Sequence, residues 1–263
     1  MTAAPSSTTF PWRTALVTGG SSGIGAALVE QLAGAGVATV AVARRDDRLD
    51  TLAARFPGLV EPLVADLESA DGRARAIARL HDADRPIDLL VNNAGYGVDG
   101  RFHQLATANH LGQVELNISA LVALTSEALE TMIPRRRGWV LQVSSVAGFQ
   151  PAPSAAVYAA TKAFVTSLTE ALAEELRGSG VVVSALCPGF TRTEFQDRSG
   201  STTTGRVPKW MWMSAESVAA TGLRGVAAGH VLVIPGVGYR VLSSVSSVMP
   251  RSAIRRIVGL VQS

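Results

Sequence analysis

Short runs of β-branched and apolar residues alternate along the chain with longer stretches in which small, apolar and charged residues mix at helical spacing. The apolar runs fall at 14–18, 38–42, 87–91, 139–143, 181–186 and 231–234, with a less regular one at 58–65 that Pro62 interrupts. Helix-like segments lie between them at 23–35, 46–56, 69–83, 104–133, 155–178 and 215–228. A strand that is apolar throughout, rather than at every second position, is buried on both faces. Strands that alternate with helices are joined by right-handed crossovers into a parallel sheet covered on both sides. The pattern predicts an α/β, doubly wound parallel sheet in a single domain, with ligands at the carboxyl ends of the strands.

Composition narrows this picture. The chain has 263 residues, 47% hydrophobic and 17% charged, enough for one large core, and no low-complexity linker or repeat divides it. We expect a loose lead-in at 1–12, the main domain at 13–238 with a lid at about 189–214, and a tail at 239–263. The single cysteine, Cys187, excludes an intrachain disulfide and fits a reducing compartment, so a cytoplasmic location is expected. The first twelve residues lack the basic and apolar regions of a secretory signal, and no apolar run is long enough to span a membrane. A net charge of +3, sparse aromatics and one short arginine cluster before Gly138 argue against nucleic acid as a partner.

The first strand runs into Thr18-Gly19-Gly20-Ser21-Ser22-Gly23-Ile24-Gly25 and then a helix. Glycines let the backbone turn tightly and approach a bulky anion, and the helix start offers unpaired N–H groups to a pyrophosphate. After the second strand the position where an acid would take both ribose hydroxyls of NAD holds Ala43, followed by Arg44 and Arg45. A guanidinium binds a 2′-phosphate that a carboxylate would repel, which argues for NADP(H). Asp66, before Leu67, either accepts from an adenine amino group or caps a helix. Asn92-Asn93-Ala94-Gly95 forms a sharp polar turn at the same sheet edge, and Asn117 lies among apolar residues of a long helix, where it either holds a kink or anchors a water.

The stretch from Val143 to Lys162 carries the candidate chemistry. Tyr158 and Lys162 are one helical turn apart and point the same way. A free phenol titrates near pH 10, too high for efficient proton transfer, and an ammonium beside it favours the phenolate. Such a pair on a helix is often plain surface. Here, however, Lys162 and Lys209 are the only lysines in a chain otherwise using arginine.

Taken together, TGGSSGIG at 18–25, NNAG at 92–95, Asn117, the serine pair before VAG, YAATK at 158–162 and CPGFTRT at 187–193 resemble the single-domain short-chain dehydrogenases/reductases over nearly the whole chain. The ending resembles a bacterial branch of uncharacterised oxidoreductases in that family. The resemblance implies a seven-stranded Rossmann fold, hydride transfer between NADPH and a carbonyl, and a catalytic tetrad of Asn117, Ser145, Tyr158 and Lys162. It also assigns nicotinamide binding to the Pro188-Gly189 loop with Thr191 and Thr193, and pairing of the long helices in a homodimer or homotetramer. Phe149, Phe190, Phe195 and Trp210 are expected to face an apolar ketone, aldehyde or alcohol; a 3-oxoacyl thioester is the alternative substrate and a non-catalytic nucleotide sensor the alternative function. The basic, apolar tail either packs against protein or rests on an anionic membrane surface.

Overall fold

A computed structural model describes residues 10–196 and 208–241. Among these, seven parallel strands form one sheet in the order β3-β2-β1-β4-β5-β6-β9. They are β1 (Thr14–Thr18), β2 (Ala38–Ala43), β3 (Val60–Val64), β4 (Leu89–Asn92), β5 (Gly138–Val143), β6 (Val181–Leu186) and β9 (Leu232–Val233). A two-stranded ribbon, β7 (Thr191–Arg192) with β8 (Met213–Ser214), stands apart. The order reverses between β1 and β4, which opens a crevice between their carboxyl ends.

Successive residues of β1 feed opposite cores, as continuous apolar strands require. Ala15 and Val17 pack with Leu28 and Leu32 of α1 (Gly23–Gly34) and with Val218 and Leu223 of α7 (Ala215–Ala227). Leu16 packs on the other face, with Leu80 of α3 (Ala70–Leu80) and Leu124 of α5 (Leu121–Met132). Two further helices, α2 (Asp46–Arg55) and α6 (Ala156–Glu175), complete the layers. Ser69 and Ser214 cap α3 and α7, accepting from Gly72 N at 3.0 Å and Ser217 N at 3.2 Å.

Two expectations change. The helix read at 104–133 is a 3₁₀ turn at Phe102–Gln104, α4 (Thr107–Val114), a π-helical turn at Glu115–Ala120, and then α5. One residue more per turn at Asn117 lets its amide leave the helix and bond a neighbouring loop. The far end of the lead-in is also packed: Trp12 is 2% exposed, stacked at 5.0 Å on Phe10 and edge-on to Trp139 at 5.8 Å. The tail beyond Val241 and the lid between 197 and 207 lie outside the described residues. No helix among the described residues is long and apolar enough to cross a membrane.

Candidate active site

Apart from Asn117 and YAATK, which lie on helices, every motif picked out along the chain follows the carboxyl end of a strand. The glycine turn follows β1, Arg44 follows β2, Asp66 comes just after β3, Asn93 follows β4, Ser144 and Ser145 follow β5, and Pro188-Gly189 comes just after β6. Together they line a cleft of about 800 Å³.

The glycine turn is a close-fitted cradle. Gly19 and Gly23 take left-handed φ values of 67° and 55°. A methyl at Gly25 would overlap the Gly19 carbonyl oxygen and the Asn93 amide, so this glycine sits behind the cradle and shapes it. Asn93 Nδ2 donates to Thr18 O at 2.8 Å, while Thr18 Oγ1 accepts from the backbone N of Asn93 and Ala94, both at 2.9 Å. The turn after β4 thereby fixes the turn after β1. Ser22 at the start of α1 makes no side-chain capping bond, and Ser22, Gly23 and Ile24 line the cleft. The first N–H groups of that helix are thus available to an anion.

At the β2 end, Arg45 Nη2 donates to Ser21 Oγ at 3.1 Å and its Nη1 pairs with Glu194 at 3.1 Å. Arg48 also bonds Glu194, and these arginines hold that carboxyl below its ordinary range. Arg44 lies 3.6 Å from Glu68 and 4.0 Å from Asp66. Burial raises the Glu68 carboxyl, with Arg44 opposing. Asp66 Oδ1 accepts from Glu68 N at 3.1 Å, and since Ser69 caps α3, the capping role read for Asp66 belongs to Ser69. Asp66 and Leu67 line the cleft.

At the other end lie Ser145, Tyr158 and Lys162. Ser145 Oγ accepts from Ala147 N at 3.1 Å and faces the cleft. Ser144 Oγ instead donates to Lys162 O at 2.8 Å and lies 2.8 Å from Thr166 Oγ1, so it ties β5 to α6. Lys162 Nζ donates to Val143 O at 2.7 Å and sits 5.8 Å from the centre of the Tyr158 ring. The expected lowering of the phenol pKa by its ammonium neighbour is not what the geometry gives. Burial pushes Tyr158 up to about 12, with the Ser145 hydroxyl pulling the other way. Burial likewise lowers Lys162 to about 8. Desolvation outweighs pairing because both groups are enclosed and the ammonium is spent on a carbonyl.

Asn117 is buried behind this cluster. Its Oδ1 accepts from Tyr96 N at 3.1 Å, and its Nδ2 donates to Tyr96 O at 2.9 Å and Thr161 Oγ1 at 3.0 Å. These bonds fit the first of the two roles read for it, holding the kink. A Cβ at Gly95 would come 2.9 Å from Asn117 Oδ1 and 3.4 Å from Lys162 Nζ, so only glycine lets these elements meet.

Pro188, Gly189, Thr191, Thr193, Phe190 and Phe195 also line the cleft, with Phe195 5.4 Å from the Tyr158 ring. Phe149 and Trp210 do not; Phe149 ends a 3₁₀ turn and Trp210 is 78% exposed. Tyr239, assigned from sequence to the tail, is buried against Gly189. Its hydroxyl accepts from Phe190 N at 3.0 Å and donates to Met211 O at 2.9 Å. Tyr96, Asp99, Gln150 and Glu194 are wall residues that the sequence reading missed. Their one sequence signal is adjacency to the NNAG, VAG and CPGFTRT motifs.

A parallel sheet whose switch-point cleft joins a glycine cradle to a half-buried Tyr beside a buried Lys belongs to the class of dinucleotide-binding oxidoreductases. The family model described as short chain dehydrogenase matches residues 13–204, and the chain belongs to that family. It is 39% identical over 186 residues to an uncharacterized oxidoreductase of Myxococcus xanthus, covering 70% of this chain and 74% of the relative. A short-chain dehydrogenase from Sphingobium yanoikuyae, solved in complex with NADPH, superposes with a TM-score of 0.80 at 34% identity, over 90% of this chain and 96% of that one. A bulky-bulky ketone specific alcohol dehydrogenase from Comamonas testosteroni superposes with a TM-score of 0.76 at 30% identity, over 91% and 95%.

Proposed function

We propose that this enzyme interconverts an apolar ketone or aldehyde and its alcohol, using NADP(H), with Tyr158 as the proton carrier. The observation that carries this reading is the half-buried phenol of Tyr158 facing the cleft beside Ser145, with Lys162 one turn away. The cofactor fits the chain's own residues. Glycines 19, 23 and 95 line the cleft with the turns packed closely behind them, the start of α1 faces it, and Ser21, Arg44 and Arg45 line the end that would take a 2′-phosphate. No carboxylate ends β2 to hold an unphosphorylated ribose, and the similar Sphingobium enzyme was solved with NADPH.

When bound, NADPH supplies the hydride. Tyr158 keeps its proton at neutral pH because burial holds it high, which is the state a donor must start from. As negative charge grows on the substrate oxygen, Tyr158 Oη gives up that proton and Ser145 Oγ donates a second hydrogen bond. Lys162, charged below about pH 8, then stabilises the phenolate across the turn of α6. Asn117 positions the loop at Gly95 and Tyr96 beneath Lys162, and Thr193 with the Pro188-Gly189 loop orients the nicotinamide. In the alcohol-oxidising direction the same groups run in reverse.

Phe190, Phe195, Val98, Ala152 and Pro153 give the substrate end an apolar wall, which favours a bulky, uncharged carbonyl compound. The similar Comamonas enzyme is described as specific for bulky-bulky ketones. The outer faces of α4, α5 and α6 expose Leu111, Val122 and Phe164, and we assign them to subunit contacts of a homodimer or homotetramer. A panel of aliphatic, aromatic and cyclic ketones and aldehydes, followed by NADPH absorbance, tests the reading. Turnover of bulky apolar ketones is expected; binding of NADPH with no turnover across the panel would favour a sensor.

A further inference from the structure

Glu194 occupies ground that a ligand phosphate would claim. Its carboxylate takes Arg45 at 3.1 Å and bonds Arg48 as well, while Arg45 also reaches Ser21 at 3.1 Å. Arg45 and Ser21 line the cleft at its arginine end, and so does Glu194. The neighbours of Glu194 tie the same three-residue stretch to two other parts of the site. Thr193 packs on the glycine turn, where a Cβ at Gly23 would lie 3.0 Å from Thr193 Cγ2. Phe195 leans on the Tyr158 ring at 5.4 Å, and a Cβ at Gly97 would touch both rings, at 3.0 and 3.3 Å.

A carboxylate and a phosphate seek the same guanidinium N–H groups, and two anions gathered on one cation repel each other. Resting on the NADP(H) reading above, we propose that Glu194 is a specificity-determining residue, a built-in competitor for the 2′-phosphate. It holds Arg45 and Arg48 in the free protein and yields Arg45 when the phosphate arrives. Its presence narrows the preference for phosphorylated over unphosphorylated dinucleotide. Its departure loosens the backbone that lays Phe195 over Tyr158, so cofactor recognition at one end of the cleft opens substrate access at the other.

The opposite role is a scaffold, in which Glu194 holds Arg45 ready and phosphate binding needs it. Adenosine 2′,5′-bisphosphate and 5′-AMP differ only in the 2′-phosphate, and calorimetric titration of both into the wild type and Glu194→Gln separates the two roles. Glu194 is partly exposed, so the variant should keep the wild-type melting temperature. The competitor predicts 2′,5′-bisphosphate binding to Glu194→Gln tighter by about threefold or more, a modest gain because partly exposed pairs are screened, with 5′-AMP unchanged. It also predicts faster backbone hydrogen exchange at 193–196 when the bisphosphate, but not 5′-AMP, is added to the wild type. Equal or weaker bisphosphate binding by the variant overturns the competitor. Tighter binding with unaltered exchange keeps the competitor and overturns the coupling to Phe195. If neither protein prefers the bisphosphate over 5′-AMP, the NADP(H) reading fails and this inference with it.

Discussion

At the phenol end of the cleft the ionisable groups are few and enclosed; at the arginine end they are many and partly exposed. Tyr158 and Lys162 are moved by burial, up to about 12 and down to about 8, and each makes few polar contacts. Arg44, Arg45 and Arg48 face Asp66, Glu68 and Glu194 across partly exposed ion pairs. Where water is excluded, one proton or one hydroxyl changes the energy of the whole site. Where water screens the charges, each pair contributes little and recognition comes from their number. Chemistry at the first end should therefore be all-or-none under mutation, and recognition at the second end graded.

The sharpest break in that contrast would come from Tyr158→Phe. Loss of the proton donor is expected to lower kcat by at least about 10²–10³, with NADPH binding retained in a fluorescence titration. Wild-type-like reduction by this variant would refute the assignment of Tyr158. Next comes the serine pair, one residue apart but with different duties. Ser145→Ala should cut kcat by about 10², whereas Ser144→Ala should keep the rate and lose about 1–2 kcal/mol of unfolding free energy in urea. Equal rate losses from both would remove the distinction between them.

At the exposed end, Arg45→Ala should weaken NADPH by about tenfold relative to NADH, read from the two dissociation constants, with kcat on a saturating cofactor little changed. The smallest effect is a pH dependence. The folded pKa of Lys162, about 8, lies below the ordinary 10.5, so between these values the unfolded chain keeps a proton the folded one has lost. The stability tied to Lys162 therefore rises as pH climbs through about 8, at up to about 1.4 kcal/mol per pH unit. Lys162→Met should lose ground against the wild type between pH 7 and 9 in urea unfolding. A gap that stays flat across that range would show that the lysine is not enclosed.

The frame was legible because its signals are local. Six of the seven sheet strands read off directly as mainly apolar runs, and β3, broken by Pro62, is the irregular one. The glycine turn announced itself between a strand and a helix. Longer-range facts were not legible. The π-helical turn at Glu115–Ala120 has no composition of its own; it exists because Asn117 finds the Tyr96 backbone, 21 residues away in sequence. The phenol's shift went the unexpected way because spacing reveals a neighbouring charge but not the depth of burial around it. Phe149 and Trp210 lie at plausible distances from motifs, yet Trp210 is left exposed while Phe195 packs on Tyr158. Glu194 was passed over because an acid following a threonine-rich loop has no signature until Arg45 and Arg48, about 150 residues earlier, are brought beside it.

Tyr239 pins two distant points of the chain after β6 to one ring from further along the sequence. One hydroxyl group joins Phe190, where the segment leaves the sheet, to Met211, just before it returns to β8. Gly189 is the notch that admits the ring, and any larger residue there would evict it. A chain cut back to Gly238 would lose this link and leave the two points held by the β7–β8 pairing and the Phe190–Trp212 contact, while sparing every motif that identifies the family. Such a truncation would look complete by sequence yet lack the ring that pegs Phe190 to Met211.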